Sequence, residues 1–95
     1  MGLIISTAVR KKLATKHNVT EREICECFAN RDKEFLKDLR EEHQSDPPTL
    51  WFVAETDYGR KLKVVFIHNP SNNNIIIRTC YPANPVEISI YEKHA

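Results

Sequence analysis

Trp51-Phe-Val-Ala-Glu-Thr-Asp-Tyr-Gly-Arg-Lys-Leu-Lys-Val-Val-Phe-Ile-His68 spells out two strands and the turn that joins them. Two β-branched and aromatic runs flank Thr56-Asp57-Tyr58-Gly59, a hairpin signal with Gly59 placed for a positive-φ turn position. The pattern predicts strands over 49–55 and 61–68. Arg60, Lys61 and Lys63 follow the turn, so cations cluster where the second strand emerges. Lys61 and Lys63 alternate with Leu62, Val64 and Phe66, which assigns both lysines to the solvent side.

Downstream, Asn69-Pro70-Ser71-Asn72-Asn73-Asn74 is a polar turn, followed by a strand over 74–80. Simple alternation puts Ile76, Arg78 and Cys80 on one face and Ile75, Ile77 and Thr79 on the other. Pro82 and Pro85 then break the sheet. Asn84 as cap and Pro85 as first helical residue predict a closing helix over 85–93, in which Val86, Ile90 and Lys93 share a face and Ile88 and Tyr91 form a second edge. Alternating apolar residues leave a strand over 86–91 as the competing assignment.

Upstream, the tandem Pro47-Pro48 marks a rigid loop. Residues 34–40 fit either helix or strand, and the strand is preferred because the following runs need partners. Thr20 and Glu23 form a capping box, with Val19 stapling onto Ile24, so a helix is expected over 21–29. Ser6 or Thr7 caps an earlier helix reaching His17, with Val9 and Leu13 as its apolar stripe. The expectation is one α+β domain over residues 1–95. It has two N-terminal helices, a mainly antiparallel three- to four-stranded sheet and a short C-terminal helix.

A chain of 95 residues buries roughly 60–70% of its extended surface, enough for a single core but not for a deep cofactor cavity. No apolar run approaches the roughly 20 residues needed to span a bilayer. The cysteines number three, Cys25, Cys27 and Cys80, and suit a reducing cytoplasm better than a disulfide framework. On a helix Cys25 and Cys27 project about 200° apart, so they cannot chelate one metal ion and read as small buried apolar residues. No cofactor is expected. The net charge of +1 conceals polarity: residues 1–31 carry six cations against three anions, and residues 32–47 carry three against six. Contact with a polyanion must therefore be local.

Three segments carry a family resemblance: Lys16-His17-Asn18-Val19-Thr20 with Glu23 and Phe28, then Asp57 through Val65, then Ile75-Ile76-Ile77-Arg78-Thr79 with Glu87 and Tyr91. In this order they resemble the BrnT-like branch of the RelE/ParE toxin superfamily, small bacterial ribonuclease toxins. The family's second basic residue after its last strand is represented here by Cys80-Tyr81, and the family's toxins are typically more basic. The resemblance implies a RelE/BrnT-like fold and a cytoplasmic endoribonuclease of a type II toxin–antitoxin pair. Its implied partners are RNA, including ribosome-bound messenger, and a small antitoxin. A homo-oligomer is compatible with it.

Cleaving RNA without a metal needs a base for the ribose 2′-OH, stabilisation of charge on the phosphate and an acid for the leaving oxygen. Histidine suits the proton transfers and arginine the phosphate. The catalytic candidates are Arg40, His43, Arg60 and Arg78, expected to converge on one pocket. His17, Lys61, Lys63 and Trp51 are the candidate RNA contacts, Trp51 by stacking on a base. Each has a structural reading beside the functional one. Trp51 fits the core, His17 the last carbonyls of its helix, and Arg40 with His43 a solvated strand end. The competing function is a non-catalytic protein-interaction or nucleic-acid-binding regulator on the same fold.

Overall fold

The computed structural model describes residues 2–39 and 46–95. Along the chain run β1 (Leu3–Ile4), α1 (Thr7–Lys12) with a π-helical continuation (Leu13–His17), and α2 (Glu21–Asn30). Then come β2 (Leu36–Lys37), β3 (Thr49–Glu55), β4 (Lys61–His68), β5 (Ile75–Pro82) and α3 (Pro85–His94). Among the described residues the sheet has five strands in the order β1-β5-β4-β3-β2. The ladders are antiparallel except β1 with β5, which is parallel.

The central hairpin forms as its sequence predicts. Gly59 adopts φ 85°, Thr56 N–H donates to the Arg60 carbonyl at 2.9 Å, and the Thr56 hydroxyl accepts from Arg60 N–H at 3.1 Å. Phe52, Val64 and Phe66 point to the side covered by α2, which buries Ile24 and Cys27 there. Phe28 sits 4.8 Å from Phe52 and 5.3 Å from Phe66, and Phe35 sits 4.8 Å from Phe66, all in edge-on arrangements. Such aromatic pairs contribute about 0.5–1.5 kcal/mol each beyond their burial. α3 covers part of the opposite face through Tyr91, whose ring lies 5.9 Å from Trp51.

The sheet is larger and more mixed than the expected three to four antiparallel strands. Leu3 and Ile4 add a parallel edge opposite Ile75 and Ile76, a ladder too short to show alternation. The expected strand over 34–40 is a ladder only at Leu36–Lys37, because Phe35 is drawn into the aromatic cluster instead. Arg40 lies outside the described residues.

Three side-chain assignments are also corrected. Register shifts at Val65/Phe66, where Thr79 opposes Val65 and Ile77 opposes Phe66, so Arg78 is the extra residue of a bulge. That bulge reverses the parity of β5: Ile75, Ile77 and Cys80 are the buried set, and Arg78 is exposed. Lys63 is only 7% exposed rather than solvent-facing, because α3 closes over it. Cys27 and Cys80 are buried but Cys25 is exposed, lying off the inward stripe of α2.

Candidate functional site

The end of the first helix is shaped locally. Ser6 caps α1 by accepting from Val9 N–H at 3.2 Å, and the Thr15 hydroxyl donates back to the Lys11 carbonyl at 2.7 Å. Back-bonding of this kind bends helices. Here the helix widens to π geometry over Leu13–His17 and stops at Asn18, with φ 51°. Isolated π turns occur often at functional sites. The result is that the half-buried His17 ring packs against Tyr81, with centroids 5.7 Å apart.

Tyr81 belongs to a polar group set by strand register and a helix cap. It lies directly opposite Lys63 across the β4–β5 ladder. Asn84 caps α3, and Glu87 completes the capping box: its Oε1 accepts from Asn84 N–H at 3.0 Å. The other oxygen of Glu87 accepts from Lys63 Nζ at 2.9 Å and from the Tyr81 hydroxyl at 2.6 Å. Lys63 Nζ also stands 4.6 Å over the Trp51 ring, a cation–π contact. Burial alone would raise the pKa of Glu87, but Tyr81, Asn84 and Lys63 outweigh it and hold the carboxyl below its ordinary value.

Arg60 is placed differently. Its guanidinium donates to the carbonyls of His17 at 3.0 Å and Asn18 at 2.7 Å, and to the Glu23 carboxylate at 3.1 Å. It ties the π turn, the start of α2 and the hairpin together, satisfying carbonyls that the helix end leaves open. Burial pushes Glu23 up, yet the Thr20 backbone N–H and Arg60 together bring it below its usual value.

Of the expected site residues, His17 and Lys63 both meet Tyr81, Trp51 joins through the Lys63 ammonium, and Arg60 reaches them at the His17 backbone. Trp51 is buried against Tyr91 and Lys63, so its indole serves as core. Arg78 stands apart in the bulge, five to six strand residues from Arg60, or roughly 17–20 Å. Lys61 is exposed opposite Glu55. Arg40 and His43 lie outside the described residues. Sequence reading missed Tyr81 and the double use of Glu87. The signal for Glu87 was present in Asn84-Pro85-Val86-Glu87, a second capping box.

Chemically, the group offers a half-buried imidazole beside a phenol whose proton is directed to a carboxylate. Arg78 stands about 10 Å along the same strand as Tyr81. Among the described residues, no helix is long and apolar enough to cross a membrane. The chain matches no protein-family model, no curated protein and no solved structure.

Proposed function

We propose that this protein is a toxin-like endoribonuclease of a type II toxin–antitoxin pair, cleaving RNA by acid–base chemistry of its side chains. The observation carrying this reading is the packing of His17 on Tyr81, with Tyr81 tied to Glu87 and Lys63. His17 exchanges the proton of the ribose 2′-OH or of the leaving oxygen, as an imidazole can near neutral pH. The Tyr81 hydroxyl donates to Glu87, which fixes the phenol beside the imidazole. Lys63 acts as a positioning residue by holding Glu87, and Arg78 takes a neighbouring phosphate. The motif resemblance supports the same activity, the cytoplasmic setting and a small antitoxin as partner.

Incubating the purified chain with a long single-stranded RNA tests this reading. Cleavage is expected, falling about 10²–10⁴-fold in His17→Ala and clearly in Tyr81→Phe. RNA left intact by the wild-type chain overturns it.

A specific observation favours a second reading, a non-catalytic interaction protein on this fold. Arg60 and Lys63 are both neutralised by internal carboxylates, Glu23 and Glu87. Partner binding without RNA loss, unchanged by Arg78→Ala, would select it.

A further inference from the structure

We propose that single-stranded RNA runs along the outer side of α1 and β5, its phosphates held by Lys12, Lys16 and Arg78 and one nucleotide lying at His17 and Tyr81. The choice of RNA rests on the ribonuclease reading; the track itself rests on where the fold puts charge. Residues 1–20 and 69–86 carry five cations and no carboxylate. These stretches are far apart along the chain, yet they form β1, α1, its π-helical continuation and β5, which pack together towards one end of the strand order. At the other end, residues 30–38 and 55–57, around β2 and the close of β3, hold five carboxylates against three cations. A near-neutral chain is thereby folded into a basic edge and an acidic one, and such a field draws a polyanion to one side.

Register fixes the direction of the track. Ile4 lies opposite Ile76, and the His17 ring lies against Tyr81, so the chain between Ile4 and His17 travels beside β5 from the level of Ile76 to that of Tyr81. That is about five strand residues, or roughly 17 Å, with Arg78 between the two ends. Leu13 is buried and Val9 half-buried on the inner side of the helix, while Lys12 and Lys16, one turn apart, stack on a single exposed flank. Arg10, on the other flank, is taken by Glu21 of α2. Among the described residues Lys12, Lys16 and Arg78 have no ion-pair partner, unlike Arg60 and Lys63.

The form of the nucleic acid follows from the far end of the track. His17 and Tyr81 are both half-buried, so each still offers ring surface to an incoming group. A duplex keeps its bases stacked and paired, whereas a base turned out of the stack can lie against such rings. The phosphate contacts supply affinity by releasing counterions, and the ring pair receives the nucleotide that they deliver.

Fluorescence anisotropy with the full chain and a labelled 2′-O-methyl single strand, whose blocked ribose cannot be cleaved, tests the track apart from catalysis. The logarithm of the affinity is expected to fall linearly with the logarithm of salt concentration. Lys12→Ala, Lys16→Ala and Arg78→Ala should each weaken binding about fivefold and reduce the slope by about 0.7. All three side chains are exposed, so thermal midpoints should stay with the wild type. Lys37→Ala, on β2 and roughly 14 Å across the sheet from β5, should change neither affinity nor slope. Binding of this kind with unmodified RNA left intact supports the track and removes the ribonuclease reading. Cleavage with slopes unmoved by the three variants overturns the track alone. So does the absence of salt-dependent binding, or equal affinity for a duplex of the same sequence or for an acidic peptide.

Discussion

Lys63 and Glu87, 24 residues apart, form an ion pair of 2.9 Å beneath the first turn of α3. The lysine is nearly buried, and the carboxylate that neutralises it is also the one that closes the helix cap. One side chain thereby fixes the start of α3, holds the charge of β4 and orients Tyr81. A charge that would be costly to bury alone is tolerated because its partner is itself anchored by hydrogen bonds.

Glu87 and Glu23 both have folded-state pKa values held below the ordinary 4.5. A depressed carboxylate binds its proton less readily in the folded chain than in the unfolded one. Its contribution is therefore fully present above about pH 5 and is lost as pH falls through the folded value. Urea unfolding should show near-constant stability from pH 7 down to about 5, then a decline. Glu87→Gln should lose about 2–3 kcal/mol at pH 7, and the gap to the wild type should close in strong acid.

Arg60→Ala should destabilise the fold by about 2–3 kcal/mol, since it strips two carbonyls and a carboxylate of a charged donor. Arg60→Lys should restore only part of this, because an ammonium lacks the planar fork. Arg78→Ala, in the exposed bulge, should stay within about 0.5 kcal/mol of the wild type. Chemical denaturation of the three variants checks the contrast.

Gly59→Ala should cost about 1 kcal/mol. The added methyl would meet nothing within 4 Å, so the penalty comes only from the backbone, whose φ of 85° side chains resist. A shift in the thermal midpoint with unchanged circular dichroism would show it.

Ellman's reagent should titrate Cys25 alone in the native protein and all three thiols after denaturation. Burial pushes the Cys27 thiol up to about 12 and Cys80 further, so neither supplies a thiolate near neutrality. Cys25→Ser should abolish the fast reaction.

The readable parts of this chain are those decided within a few residues. Gly59 announces its turn, Thr20 with Glu23 announces its cap, and the three long strands lie close to their expected bounds. The parts that escaped depend on distant partners. Lys63 looks solvent-facing until α3 supplies Glu87, and Arg60 looks free until the end of the first helix supplies two carbonyls. The Arg78 bulge needs only one extra residue, yet it reverses which side chains of β5 are buried. The shared pocket expected for the cationic residues required groups distant along the chain to converge on folding. The strand length between Arg60 and Arg78 separates them instead.

The Gly2 carbonyl accepts a hydrogen bond from Ile75 N–H at 2.7 Å, and β1 extends that contact along the flank of β5. During synthesis β1 leaves the ribosome before β5, so the strand is made ahead of its docking place. Translation and assembly thus run in opposite directions at this seam. Until β5 has emerged, Leu3 and Ile4 wait without their ladder, and once it has, an unclaimed border would be open to another chain.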